Sequence, residues 1–398
     1  MLVHARDRDG PDCRDDRRQA PTEPGRRASQ WVAAGLIALC LAPAGRADPL
    51  RIATFNTELG RDGPGLLLRD FLAGEAPDIA AVADVIADAA PDILVLQGID
   101  YDHGMHALGA FADGLGRRGH SYPHRVALPS NAGLATGIDL DGDGRLGGPR
   151  DAQGYGAFAG AGAMAVLSRW PIVETRDFTK LLWADLPGNL ITDAALSPNA
   201  RAVQRLSSHG HWVITLAGPG DAALEIWTFH ASPPVFDGPE DRNGRRNHDE
   251  AAFWLRHLEG AFGPAGERPF VLLGDFNLDP LDGEGRPDAL DALRAHPMVQ
   301  DPEPKSRWAA QMAAAEGGAN TAHRGDPALD TANWRDEPGP GNLRVDYVLP
   351  SRHWAIMDAG VTWATPAGDG AAAPRHGLVW VDVVPAAAGI LDPSSASR

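Results

Sequence analysis

Val271-Leu272-Leu273-Gly274-Asp275-Phe276-Asn277 is the stretch around which the chain is organised. Its consecutive apolar residues predict a short buried strand that ends where the sequence turns polar. Asp275 and Asn277 are two positions apart, so they lie on one side of an extended backbone. A carboxylate and an amide at the end of a buried strand are typical of a site for a cation or an oxyanion. Alone, the pattern also fits a strand followed by an Asx turn, so the rest of the chain must decide.

The composition is that of a globular protein with an acidic surface. The chain has 398 residues, 43% apolar and 22% charged, which suits one large or two ordinary domains. Its formal net charge is −17. Such a surface repels polyanions at long range, which argues against tight non-specific binding of nucleic acid.

Residues 1–47 have the pattern of a signal peptide. Arg26 and Arg27 precede an apolar run from Trp31 to Ala42, which is too short to span a membrane, and small residues follow up to Ala47. We therefore expect export to the periplasm or the cell exterior. Both cysteines of the chain lie inside this leader, so the remainder has no disulfide. Residues 48–390 are expected to form the folded domain and 391–398 a C-terminal tail.

Polar side chains recur where predicted strands begin or end. The pattern of apolar strands separated by helices predicts an α/β layered core. The polar residues at the strand ends are Asn56, Asp100, His230, Asp275 with Asn277, Asp346 and His376. Two histidines, several carboxylates and two amides are the groups needed to hydrolyse a phosphate ester, in which charge develops on the phosphoryl oxygens and a water must be activated.

Two other segments carry separate predictions. Asp139, Asp141 and Asp143 alternate and are followed by Gly144, as at the opening of a calcium loop. The twelfth position holds an arginine rather than the expected glutamate, and Asp151 follows it, so a calcium site and a plain acidic turn both remain open. Residues 301–341 are rich in Pro, Gly, Ala and Asp and predict a long ordered loop or lid.

The order of these motifs resembles the endonuclease/exonuclease/phosphatase superfamily. The most specific matching segment is Leu273-Gly274-Asp275-Phe276-Asn277. The others are Thr54-Phe55-Asn56, Ile93-Leu94-Val95-Leu96-Gln97, the run from Ala165 to Ile172, Thr228-Phe229-His230, Val345-Asp346-Tyr347 and Arg375-His376. The resemblance implies a four-layer α/β sandwich, with two mixed β-sheets packed face to face and helices outside.

The resemblance also implies roles for individual residues. Asn56 would contact the metal or phosphate, and His230 would bind a phosphoryl oxygen. Asp275 would activate or hold the attacking water, which Asn277 would orient. His376 would stabilise the transition state, with Asp346 holding its imidazole in the required tautomer.

The chain departs from the family pattern at two positions near the expected cation. Gly98 stands where the family has a metal-binding glutamate, and Arg375 replaces an acid before the last histidine. Glu58 and Asp100 are candidate replacements that would ligate Mg²⁺ or Mn²⁺ together with Asp275. Arg375 is a candidate to bind the substrate phosphate through its guanidinium group.

Two functional hypotheses follow. The first is an exported divalent-metal-dependent phosphoesterase, a nuclease or a phosphatase, acting on a small molecule or a nucleic acid. The second is a non-catalytic binding module that keeps the scaffold without its metal. Neither requires a membrane span or an obligate protein partner.

Overall fold

The computed structural model describes residues 48–334, 339–364 and 373–386. The predicted signal peptide at 1–47 and tail at 391–398 lie outside these residues. Among the residues described, no helix is long and apolar enough to cross a membrane.

Thirteen strands and seven α-helices make up the described part of the chain. The strands are β1 (Leu50–Asn56), β2 (Ile93–Ile99), β3 (His124–Val126), β4 (Ala163–Ser168), β5 (Ile172–Asp177), β6 (His211–Ala217), β7 (Ala223–His230), β8 (Phe270–Asp275), β9 (Ala332–Trp334), β10 (Gly341–Leu343), β11 (Asp346–Pro350), β12 (Trp354–Thr362) and β13 (Leu378–Pro385). The helices are α1 (Leu66–Ala73), α2 (Pro77–Ala89), α3 (His106–Arg117), α4 (Pro198–Val203), α5 (Arg242–Leu258), α6 (Asp288–Ala295) and α7 (Arg307–Glu316).

Two mixed sheets form the centre of the molecule. One has the strand order β12-β13-β1-β2-β4-β3 and the other β11-β8-β7-β6-β5, while β9 and β10 pair separately. Between the sheets lies an apolar core that includes Val95 and Val166 from the first and Ile226 and Leu273 from the second. Because both faces of these strands are covered, their sequences are continuous apolar runs rather than alternating ones.

Helices cover the outer face of each sheet. One outer core joins α1, α2 and α3 to the first sheet, with Phe71 stacked on Phe111 at 5.0 Å between ring centroids. The other joins α5 and α6 to the second sheet, where Trp227 stacks on Phe270 at 3.9 Å. The predicted four-layer α/β sandwich is therefore confirmed.

The structure differs from the predicted elements in the segment 301–349. Part of the predicted loop is the helix α7, whose start is capped by the Ser306 hydroxyl accepting from the Ala309 amide. A serine cap before an alanine-rich run is a helix signal that the prediction passed over. The apolar run on either side of Asp346 predicts one continuous strand over residues 343–349, but β10 ends at Leu343 and β11 begins at Asp346. That break places Asp346 at a strand end.

Candidate active site

Three candidate side chains lie in one row across the second sheet. His230 on β7 is the register partner of Asp275 on β8 in a parallel pair, and Asp275 is the partner of Asp346 on β11 in an antiparallel pair. Directly opposed residues project from the same face of a sheet about 5 Å apart. The register of three adjacent strands therefore brings together residues that are far apart in the sequence.

Gly274 allows β7 and β8 to approach closely just before this row. Its φ is 151°, and a Cβ at this position would lie 2.1 Å from the carbonyl oxygen of Phe229. Any side chain would collide with the backbone of β7. The glycine before Asp275 is thus a steric requirement of the strand pairing.

The first sheet contributes Asn56 and His376 to the same place. Asn56, at the end of β1, donates from Nδ2 to Oδ2 of Asp275 at 2.9 Å. His376, just before β13, lies with Nδ1 2.8 Å from Oδ2 of Asp346. The cleft between the two sheets therefore collects five strand ends, which carry Asn56, His230, Asp275, Asp346 and His376.

Asp346 and His376 form a buried charged pair. Burial disfavours the imidazolium, but the adjacent Asp346 outweighs it through its charge and hydrogen bond and raises the pKa of His376 to about 9. The Thr331 hydroxyl donates to Oδ2 of Asp346 at 2.9 Å and fixes the carboxylate. At neutral pH His376 is then a cation with Nδ1 committed to Asp346, which leaves Nε2 as a donor for other partners.

Asp275 is a fully buried carboxyl at the centre of the row. Burial, and secondly the charge of Asp346, raise the pKa of Asp275 above its ordinary value. The hydrogen bond from Asn56 and one from the amide of Asn277 to Oδ1, at 2.8 Å, act in the opposite direction. A raised pKa suits a group that must take a proton near neutral pH.

His230 is held neutral beside Asp275. Its Nε2 lies 3.5 Å from Oδ2 of Asp275, and burial lowers the pKa of the imidazole well below the usual range. His209 stacks on it in parallel, with 3.8 Å between ring centroids. Nδ1 of His230 is buried without a hydrogen-bond partner in the part of the chain described.

Asn277 orients Asp275 through its backbone rather than its side chain. Its φ is 50°, in the left-handed region that asparagine tolerates, and its amide donates to Asp275. The side-chain Nδ2 donates instead to the carbonyl of Ala231 at 2.9 Å. The side chain predicted to orient water thus ties the end of β8 to the end of β7.

Glu58 and Arg375 are each other's partners. The Arg375 amide and Nε donate to the two carboxylate oxygens of Glu58, both at 2.8 Å. Burial would raise the pKa of Glu58, but the charge of His376 and the bonds from Arg375 lower it. Neither the predicted metal ligand nor the predicted phosphate-binding residue is free in this arrangement.

Asp100 serves a local structural purpose. Its oxygens accept from the amides of Arg61 and Gly162, both at 2.9 Å. Burial raises its pKa. It is not part of the cluster that Asp275, Asp346 and His376 form, in which the potential ligand atoms lie within 4.8 Å of one another.

The two carboxylates of that cluster, together with Asn56 beside them, fit a hard divalent cation, whereas His376 is itself a cation at neutral pH and is not a ligand. Two carboxylates and the Asn56 amide supply the oxygen ligands that Mg²⁺ and Mn²⁺ prefer, and Oδ1 of Asp346 is buried without a partner among the described residues. Gly98 has φ 71°, and a Cβ there would lie 2.6 Å from Oδ1 of Asn56. The local backbone thus has no space for the glutamate that the family resemblance implies at this position.

The predicted calcium loop keeps three of its four acids together. Oxygens of Asp139, Asp141 and Asp143 lie within 4.8 Å of one another. Asp151 is instead buried and accepts from the amides of Leu140 and Gly148 at 2.8 and 3.1 Å. It closes the loop through the backbone, and calcium binding there stays a prediction.

Two residues beside the site were missed by the sequence analysis. His209 precedes β6, and Thr331 precedes β9 inside the predicted lid. His209 follows two serines and Thr331 follows an aspartate. Neither sequence pattern indicates which strand end the residue will contact in the folded protein. The contacts depend on tertiary packing.

One family model and several solved structures match this chain. The sequence model of the Endonuclease/Exonuclease/phosphatase family matches residues 53–372. No curated protein sequence matches the chain.

Solved structures include relatives of low sequence identity. An endonuclease/exonuclease/phosphatase from Beutenbergia cavernae is 19% identical with a TM-score of 0.50, covering 85% of this chain and 72% of that one. The human nocturnin catalytic domain is 15% identical with a TM-score of 0.45, over 86% and 95% of the two chains. A mannosyl-6-phosphatase from Bacteroides thetaiotaomicron is 15% identical with a TM-score of 0.46, over 84% and 99%. The first of these shows the same fold.

Proposed function

This chain belongs to the endonuclease/exonuclease/phosphatase family, and from that premise we propose that it is a divalent-metal-dependent phosphoesterase. Members of the family are generally hydrolases of phosphate esters. The observation that carries the proposal is the row of His230, Asp275 and Asp346 facing Asn56 and His376 across one cleft. A protein that kept the fold but had lost catalysis would not need a cationic His376, a neutral His230 and an Asp275 of raised pKa at one site.

In the proposed reaction each residue acts through its protonation state. Asp275 holds the attacking water and takes its proton while the water oxygen forms the new bond to phosphorus. Neutral His230 donates one hydrogen bond to a phosphoryl oxygen. His376 places its Nε2 proton on the leaving ester oxygen as the phosphorus–oxygen bond breaks, and Asp346 stabilises its charged form beforehand.

A bound Mg²⁺ or Mn²⁺ would neutralise the charge of the phosphoryl oxygens. Asn56 and the unpartnered Oδ1 of Asp346 would hold it beside Asp275. Glu58 would join only after leaving Arg375, and Arg375 would then be free to bind the phosphate. Calcium at the Asp139 loop is a separate proposal that concerns stability rather than the reaction.

We also propose that the protein is exported, and that it is either a nuclease or a phosphatase. The leader pattern at 1–47 supports delivery to the periplasm or the cell exterior, which the amino-terminal sequence of the protein recovered outside the cytoplasm would test. A nuclease and a phosphatase use the same chemistry. The acidic surface favours a small phosphorylated molecule or a short oligonucleotide over an extended duplex.

A second candidate function is a binding module without turnover. The Gly98 substitution and the Glu58–Arg375 pair favour it, since both reduce the negative charge available to a cation. This candidate predicts ligand binding that chelation does not change and no hydrolysis.

The test is hydrolysis of phosphodiesters and phosphomonoesters by the protein from residue 48 onward, with Mg²⁺, Mn²⁺ or Ca²⁺ and with a chelator. We expect activity that is abolished by the chelator and by His376→Ala. Asp382→Asn is the control. Asp382 on β13 forms an ion pair with Arg51 on β1, on the face of the first sheet that points away from the cleft. Absence of turnover on both bond types with every metal would refute the proposal.

A further inference from the structure

A cavity of about 220 Å³ lies beside α7. Ala310, Ala313 and Ala314, on one face of α7, form an apolar wall together with Pro327. The rest of the wall comes from the chain between α7 and β9 and from the turn after β8, and it includes two carboxylates. None of the residues that we assign to the hydrolysis lines this cavity, so its chemistry needs a separate explanation.

Asp330 is a buried carboxylate in this wall that has no partner of its own. Its exposed fraction is 7%, and among the described residues nothing donates a hydrogen bond to it or forms an ion pair with it. Its oxygens nevertheless keep accessible surface, and that surface faces the cavity, because Asp330 belongs to the wall. A buried polar group without a hydrogen bond is unfavourable unless a ligand supplies one. Asp330 is therefore the feature of the cavity that requires a ligand.

The surroundings of Asp330 are negative. Burial raises the pKa of Asp330 to about 7, and the charges of Asp279, Asp282 and Asp326 add to this effect. The C-terminal turn of α7 also lines the cavity, bears no basic side chain and carries the partial negative charge of its free carbonyl groups. These groups attract a cation into the cavity, and a cation there would keep Asp330 ionised.

The basic side chains of this region are engaged with other groups. Nζ of Lys305 donates to Oδ2 of Asp326 at 2.8 Å. The guanidinium of Arg324 donates to the carbonyl of Leu281, and its Nε stays 3.9 Å from Oδ1 of Asp282 on a side chain that is 72% exposed. Asp282 itself is oriented by two backbone amides, which donate to its two oxygens at 2.8 Å. The described part of the chain thus leaves Asp330 without a counter-ion.

We propose that this cavity binds a small aliphatic amine in its ammonium form. The ammonium group has three N–H donors and no acceptor, which suits a wall that contains carboxylates. One donor binds Asp330, and Asp282 accepts another, because each of its oxygens has a second lone pair beside the one that its backbone amide uses. The hydrocarbon part packs on Ala310, Ala313 and Ala314. The inference stands on the cavity alone and does not depend on the proposed function.

Three other cations fit the cavity less well. A divalent metal needs several ligand atoms close together, but among the described residues no three acidic or histidine ligand atoms at this place lie within 4.8 Å of one another. A quaternary ammonium ion has no N–H to donate to Asp330, and the lining has no tryptophan, tyrosine or phenylalanine to receive it. A guanidinium group carries five donors around a plane, and those that face the alanines would have no acceptor.

The test measures binding directly. Asp330 immediately precedes Thr331, whose hydroxyl fixes Asp346, so a change in hydrolysis would not separate the effect of a ligand from a disturbed catalytic site. Calorimetry is performed with butylamine near neutral pH, where the amine is protonated, on the protein from residue 48 onward in the presence of a chelator. We expect one butylamine to bind per chain, and butanol, tetramethylammonium and guanidinium not to bind. A short peptide with a single lysine and an acetylated amino terminus should bind more weakly than butylamine.

Three variants locate the site. Asp330→Asn keeps the shape of the side chain and removes its charge, so it should weaken butylamine binding on the order of ten-fold, the contribution of one charge-assisted hydrogen bond. The free energy of unfolding in urea should not fall, because an unpaired buried charge is removed. Asp326→Asn is the matched control, since Asp326 pairs with Lys305 outside the wall, and it should leave the affinity within about two-fold of the wild type. Ala314→Leu, at an exposed position of the wall, should fill the cavity and abolish binding while Asp330 stays unchanged.

Several results would overturn the inference. One is the absence of butylamine binding both to the wild type and to Arg324→Ala, which removes the guanidinium beside Asp282. Others are butanol binding as tightly as butylamine, and equal losses of affinity in Asp330→Asn and Asp326→Asn. Displacement of butylamine by calcium or magnesium without chelator would show a metal site instead, and tighter binding of the peptide would assign the cavity to a lysine of another protein. If Asp330→Asn does not fold, Ala314→Leu decides, because butylamine binding that survives in Ala314→Leu cannot take place in this cavity.

Discussion

The substitution Asp346→Asn tests the electrostatic design of the cleft. His376 is buried, and burial by itself lowers the pKa of an imidazole, whereas Asp346 raises the pKa of His376 to about 9 from an ordinary value of 6.5. At 1.36 kcal/mol per unit, that difference corresponds to about 3 kcal/mol favouring the charged form. Asparagine keeps the shape and removes the charge, so the pKa of His376 should fall below 6.5.

The measurement is titration of the isotopically labelled imidazole by NMR in the presence of a chelator. The pH dependence of the free energy of unfolding provides a second test. A histidine whose pKa is raised by folding stabilises the native state fully below its unfolded pKa, and this contribution is lost as the pH rises through the folded pKa. The free energy of unfolding of the wild type should therefore lose about 3 kcal/mol from this group between pH 6.5 and 9, and the variant should lose much less.

Thr331→Val separates charge from orientation. It removes the hydroxyl that donates to Oδ2 of Asp346 and keeps the carboxylate. We expect the pKa of His376 to stay above 6.5 in this variant. A pKa of His376 that remains near 9 in Asp346→Asn would refute the reasoning, since no other carboxylate is hydrogen-bonded to the ring among the described residues.

The other predictions concern separate features of the same cleft. Gly98→Ala would place a Cβ 2.6 Å from Oδ1 of Asn56, on a residue whose φ is 71°. The free energy of unfolding in urea should therefore fall by about 1 to 3 kcal/mol, and kcat should fall as well. An unchanged free energy of unfolding and kcat would contradict the backbone conformation described at Gly98. His209→Ala removes the ring stacked on His230 and so reduces the burial that, with the charge of His209 second, lowers the pKa of His230. The pKa of His230 should therefore rise and kcat/KM fall, whereas His209→Phe keeps a ring over His230 and should retain most of the activity. Identical pH profiles for both variants would contradict the prediction. Removal of divalent metal should abolish turnover while leaving the far-ultraviolet circular dichroism unchanged, and loss of the spectrum would instead indicate a structural metal.

The sequence by itself determined most of the core strands and the polar residues at their ends. Continuous apolar runs such as Ile93–Leu96 and Val271–Leu273 can be buried on both faces only inside a layered sandwich, which is why the fold was predictable. The glycine before Asp275 was visible as well, because only glycine permits the close approach to β7. These are local requirements, and local sequence expresses them.

Only the tertiary structure decided which polar groups meet. The pairing of Glu58 with Arg375, the local bonds of Asp100 and the turn of the Asn277 side chain toward Ala231 all depend on the distance between chain segments far apart in sequence. Strand register sets the row containing Asp275, and a shift of one residue would reverse every side chain to the other face. The spacing of residues along one strand carries no information on that register, because the register is fixed by the packing of the two sheets against each other.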